Sequence, residues 1–148
     1  MFLIDSSTCV SILRSRSPRL AERLREVPLD DLAVSAITAA ELYHGAAKSR
    51  EVRAETRKVQ ELLTLVRPIE FGTEAALSYG FIRSFLERGG QVIGPLDMLI
   101  AAHALSVEAI LVTHNTGEFR RVPGLDVEDW LAGRRRSPTC LPASPALP

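Results

Sequence analysis

The chain has 148 residues, with 18 Lys and Arg against 18 Asp and Glu, and so carries no formal net charge. That length suits one domain with a sizeable core. Electroneutrality excludes a protein held on nucleic acid by bulk charge and leaves only a local basic patch for that purpose. No stretch approaches the roughly 20 apolar residues of a membrane span. Cys9 in an early apolar stretch and Cys140 in a Pro-rich tail are poorly placed for a bridge, as in a reducing compartment. A cytoplasmic protein is expected.

Met1 to Ile4 read as a buried strand that meets Asp5 at once, with no basic leader of the signal-peptide kind. A carboxylate at the end of a buried strand is costly unless it is paired or binds a cation. Ser6 or Ser7 caps a short helix to about Arg14, and Pro18 starts another that Pro28 ends. Leu32 to Val34 give a strand, and Ser35 caps a helix expected to stop near Gly45. Arg50 to Val66 form an amphipathic helix with Val52, Val59, Leu62, Leu63 and Val66 on one side. Its opposite face, with Arg50, Arg53 and Arg57, reads as solvated.

Pro68 is expected to interrupt the chain before an extended piece, Ile69 to Phe71. The helix from Thr73 to Arg88 has two apolar stripes, Ala75, Tyr79, Ile82 and Leu86 on one side and Leu77, Phe81 and Phe85 on the other. The second stripe needs cover of its own, either inside the monomer or against a partner, and a homodimer is expected. Pro95 opens an alanine-rich helix to about Ser106, Ala109 to Thr113 is a strand, and Leu125 to Val127 is a candidate edge strand. From Arg134 onward, RRRSPTCLPASPALP has no periodicity and is expected to be disordered, so the domain is placed at 1–133 and a tail at 134–148. Strands separated by helices indicate an α/β domain around a mainly parallel sheet, with its site beyond the carboxyl ends of the strands.

Several polar groups fall at that edge. Asp5 ends the first strand, Glu41 lies within SAITAAELYHG, and Asp97 sits in the first turn of PLDMLIAAHAL, where the helix dipole favours a carboxylate. ILVTHNTGEFRRV adds Thr113, Asn115 and Glu118 at the end of another strand. Each alone is explained by a turn, a cap or a solvated helix face. Together they make an all-oxygen set without His or Cys, which suits Mg²⁺ or Mn²⁺ and the hydrolysis of phosphodiesters. His44 reads as a helix-surface residue, His103 as structural and His114 as a loop residue, while Arg120 and Arg121 beside the site are candidates for phosphate contact.

FLIDSST, SAITAAELYHG, GPLDMLIAAHAL and ILVTHNTGEFRRVPGLDVEDW, in that order from Met1 to Trp130, resemble the PIN-domain proteins and, more closely, VapC-type toxins of bacterial toxin–antitoxin pairs. The resemblance implies a three-layer α/β/α fold and a Mg²⁺- or Mn²⁺-dependent endoribonuclease that cuts tRNA or rRNA and is silenced by a VapB-like antitoxin. It implies Asp5, Glu41 and Asp97 as metal ligands, with Ser7 and Thr113 as polar supports. Asn115 stands where many relatives have Asp, and Glu118 offers a substitute carboxylate. Two other enzymatic or binding readings fit less well. A haloacid-dehalogenase-type phosphatase would want a second Asp where Ser7 stands, and a receiver-like module would want a lysine near Thr113. A degenerate PIN domain that binds RNA or a partner without cleaving is the stronger alternative.

Overall fold

The computed structural model describes residues 1–15 and 17–132. Five short strands frame it: β1 (Phe2–Ile4), β2 (Leu32–Ser35), β3 (Arg67–Ile69), β4 (Ile110–Val112) and β5 (Val127–Glu128). They form one all-parallel sheet in the order β3-β2-β1-β4-β5, with Ile4 level with both Val34 and Val112. Parallel strands need helical crossovers, which cover both faces and explain why the central strands are apolar throughout.

Alternation along the strands sorts two cores. Leu3, Ala33 and Leu111 point to one face, where α5 (Thr73–Arg88) and α6 (Pro95–Ser106) bring Ile82, Leu86, Ile100 and Ala104. Ile4, Val34 and Val112 point to the other. There, Cys9 of α1 (Ser6–Leu13), Leu20 of α2 (Pro18–Glu26), Leu42 of α3 (Ala36–Ala47) and Val59 of α4 (Val52–Leu65) close over them. The expected three-layer α/β/α architecture is present. A last short helix, α7 (Thr116–Phe119), follows β4 and sinks Phe119 completely into the first core.

Three local expectations shift. α3 does not stop near Gly45 but runs to Ala47, because Ala46 is buried and its packing outweighs the glycine's poor helix propensity. No neighbour lies within 4 Å of where a Cβ on Gly45 would sit, so that glycine serves no close approach. Pro68 does not interrupt but lies inside β3, two residues earlier than the expected extended piece. β3 is an edge strand, where a missing N–H costs no ladder bond. The last strand likewise falls at Val127–Glu128, later than expected. The tail at 134–148 and the boundary at 133 lie outside the described residues. Among those residues no helix is long and apolar enough to cross a membrane.

His103 is structural, as expected, and buried on α6. Its Nδ1 lies 2.8 Å from Ser35 Oγ, and the ring also bonds the Glu70 backbone. A carbonyl only accepts, so Nε2 donates to Glu70 and Nδ1 accepts the Ser35 hydroxyl proton, fixing a neutral tautomer. Burial pushes its pKa below the usual value. With fewer protons bound in the fold than in the unfolded chain, His103 costs stability as pH falls below about 6.5. NMR titration of its ring should show a midpoint below the ordinary histidine value of about 6.5.

Candidate active site

The chain leaves β1 toward β2 and β3, then returns to the other flank for β4 and β5, so the connections diverge between β1 and β4. Such a switch point opens a crevice at the carboxyl edge of a parallel sheet. Asp5 follows β1 there and Thr113 follows β4. α6 leads into β4 and therefore starts at this same edge, which brings Asp97 to it, while α3 leaves the edge from β2 and carries Glu41.

Asp5 is only 3% exposed and caps α1. Its Oδ1 accepts from the Thr8 backbone N–H at 2.9 Å and from Ser7 Oγ at 2.8 Å, and its Oδ2 accepts the Thr113 hydroxyl. Thr113 in turn accepts the Asn115 backbone N–H at 3.0 Å, and Ser7 Oγ accepts that of His114 at 3.2 Å. The two strand ends are thus laced together through one carboxylate. Even with these donors, burial holds the Asp5 pKa above the ordinary value.

Glu41 bonds Ser6, and its other oxygen, Oε2, is buried without a hydrogen-bond partner. Desolvation first, and the charge of Asp5 after it, raise its pKa. Asp97 is pushed up to about 6, by burial first, then by a hydrogen bond with Glu118 and by the charges of Glu118, Glu41 and Asp5. Glu118 Oε2 also lies 3.5 Å from the Gly94 backbone N–H, and the burial of Phe119 beside it anchors this arrangement. Cys9, buried beneath the cluster, has its thiol pKa driven far up by burial and by Asp5 and Glu41, which excludes a thiolate nucleophile.

The structure therefore brings Asp5, Glu41 and Glu118 within charge range of Asp97, and Asp5 within range of Glu41. Asn115 follows Thr113 at the same rim: its side chain is exposed and makes no cap, and its backbone N–H joins the network. The residue that sequence reasoning missed is Ser6. Its only signal was adjacency to Asp5, and its partner lies far along the chain. One expectation needs correcting in form. Among the described residues no three acidic, His or Cys side chains already stand as a metal cage. Asp5 faces hydroxyl donors, Glu41 faces Ser6 and Asp97 faces Glu118, so each carboxylate is engaged separately.

The donor set nonetheless fits a hard divalent cation. It consists of oxygens alone, it includes the orphaned buried Glu41 Oε2, and it sets Asp97 among the charges of Glu118, Glu41 and Asp5, which a cation would offset. Among the other candidates, His44, Arg50, Arg53, Arg57 and Arg120 are exposed. Arg121 donates to the Val92 carbonyl at 3.4 Å, and His114 is exposed with Nδ1 3.1 Å from Asp129.

Comparison with known proteins agrees with this geometry. The PIN domain family matches residues 2–125. The tRNA(fMet)-specific endonuclease VapC of Salmonella typhimurium is 34% identical over 129 residues, covering 87% of this chain and 97% of that one. Ribonuclease VapC2 of Rickettsia felis is 33% identical over 131 residues, covering 88% and 98%. In solved structures the fold is similar to that in DNA-bound VapBC from Salmonella typhimurium, with a TM-score of 0.84 and 34% identity over 87% of this chain and 97% of that one. Against VapBC2 of Rickettsia felis bound to a promoter DNA fragment, the TM-score is 0.82 and the identity 32%, over 87% and 98%. On the family match over most of its length and these relatives at a third identity, the chain belongs to the PIN-domain family, among the VapC ribonucleases.

Proposed function

We propose that the protein is a divalent-metal-dependent endoribonuclease toxin, held inactive by a VapB-like antitoxin, and that tRNA is its substrate class. The observation that carries this reading is the gathering of Asp5, Glu41 and Glu118 around Asp97 at one rim, with Glu41 Oε2 buried there without a hydrogen-bond partner. The tRNA assignment draws support from the name of the Salmonella relative, and the antitoxin from the VapBC complexes.

Asp5, Glu41 and Asp97, with Glu118 as the fourth carboxylate, would hold Mg²⁺ or Mn²⁺. Such an ion supplies Lewis acidity, lowering the pKa of water and offsetting charge on the phosphate oxygens. Ser7 and Thr113 keep Asp5 aimed into the crevice, and Ser6 restrains Glu41. Asp97, its pKa pushed up to about 6, must be ionised to hold the ion, so cleavage should weaken below about pH 6. Arg120 and Arg121 offer charge to phosphates flanking the cut. The nuclease unit spans 1–133, and the tail at 134–148 lies outside it.

The test is direct: antitoxin-free protein should cut tRNA in Mg²⁺ or Mn²⁺, leave 3′-hydroxyl ends, and stop on chelation. A protein that binds tRNA with either ion present and never cuts would instead support the degenerate PIN reading, which exposed Asn115 keeps in play.

The proposal includes a homodimer formed through α5. Leu77, Phe81 and Phe85 are 58%, 64% and 55% exposed, and a cavity of about 370 Å³ opens beside them against Leu105 and Pro123. Surfaces of that kind are normally covered. Phe81→Glu should shift the protein to monomer in analytical ultracentrifugation with little change in melting temperature. An unchanged sedimentation coefficient would remove this face as the interface.

A further inference from the structure

Asp97 lies back over the start of α6, against a residue that has no side chain. Gly94 is the N-cap of that helix. Its φ of −53° and ψ of 143° are open to any L residue and are the conformation preferred before a proline, so the backbone does not call for glycine. Neither does capping, since Ser, Asp or Asn would satisfy the helix start better. The space around it gives the reason. A Cβ on Gly94 would sit 3.1 Å from Asp97 Oδ2 and 3.7 Å from its Cγ. The Gly94 N–H meanwhile faces Glu118 Oε2 at 3.5 Å. One glycine thus touches both members of the carboxyl pair.

We propose that Gly94 is a positioning residue of the acidic site, its missing Cβ leaving the place where the Asp97 carboxylate rests beside Glu118. This rests on the metal-site reading above. The energetic cost of a Cβ is small, because Asp97 can swing away. The positional cost is not, because a cation tolerates ligand displacements of only about 0.2 Å.

The experiment uses full-length Gly94→Ala and Gly94→Ser, with Asp97→Asn as control. Mn²⁺ affinity is measured by calorimetry, unfolding by a thermal melt, and the Asp97 carboxyl ¹³C resonance by NMR in metal-free wild type and both Gly94 variants. Both Gly94 variants should bind Mn²⁺ about tenfold more weakly, the scale of losing a group that orients a ligand. The Asp97 resonance should move in both, and Gly94→Ser should melt at or above wild type because serine is the better cap. Wild-type affinity in both variants while Asp97→Asn fails to bind would overturn the inference and spare the site. So would an unmoved Asp97 resonance, or an affinity loss that tracks a large fall in melting temperature. Wild-type binding by Asp97→Asn would overturn the site reading and this inference together.

Discussion

Asp97→Asn should lower RNA cleavage by at least about 100-fold and, in metal-free protein at pH 7, raise stability. The two effects share one cause. In the fold the pKa of Asp97 is pushed up to about 6, against an ordinary 3.8. Between those values the folded state binds more protons than the unfolded chain, so this group's contribution is fullest below pH 3.8 and declines as pH rises through about 6. At pH 7 the protein must hold an ionised Asp97 among Glu118, Glu41 and Asp5. The full shift would correspond to roughly 3 kcal/mol, but the side chain is partly exposed and solvent screens much of that, leaving about 1 kcal/mol. For a domain of this size, the melting temperature should rise by about 4 °C. Mg²⁺ should raise that of wild type by binding the native state and leave the variant unmoved. A less stable Asn variant, or one stabilised by Mg²⁺ as wild type is, would contradict the account.

How much of this was legible in the sequence depends on the range of the interaction. Asp5, Asp97 and Thr113 were readable because each sits at a boundary, where an apolar strand or a Pro-started helix meets a polar residue, and parallel α/β topology sends such boundaries to one edge. The two stripes of α5 were readable from its period, and they divide into buried Ile82 and Leu86 and exposed Phe81 and Phe85. Gly45 and Pro68 misled, because propensity is local whereas the burial of Ala46 and the edge position of β3 are tertiary facts. The choice between Asn115 and Glu118 was open for a similar reason. It turns on how one helical turn, pinned by Phe119, rotates Glu118 toward Gly94 and Asp97, and no spacing rule encodes that. The separate engagement of the carboxylates was equally hidden, since Thr113, Ser6 and Glu118 each lie far in sequence from the carboxylate they meet.

Asp5→Ala should abolish cleavage as well, yet with the opposite effect on stability, and the contrast separates two carboxylates of one site. Asp97 is dominated by acidic neighbours, whereas both oxygens of Asp5 accept from hydrogen-bond donors. Removing its carboxylate deprives α1 of a cap, worth about 1 kcal/mol. That cap is the bond from the Thr8 N–H; the loss also strands the buried Thr113 hydroxyl, at about 1–3 kcal/mol for a donor left unmet. Part of this loss is offset because a carboxylate whose pKa is raised by burial no longer has to be kept dry. The net expectation is a loss of about 2 kcal/mol, or about 8 °C in melting temperature. Urea unfolding followed through Trp130, the chain's single tryptophan and a buried one, would read it. Asp5→Asn should fall between, since one amide oxygen can still accept from Thr8 while its NH₂ confronts a hydroxyl that already donates toward it. If Asp5→Ala proves as stable as wild type, Asp5 does not lace β1 to β4, and the crevice must owe its shape to the sheet alone.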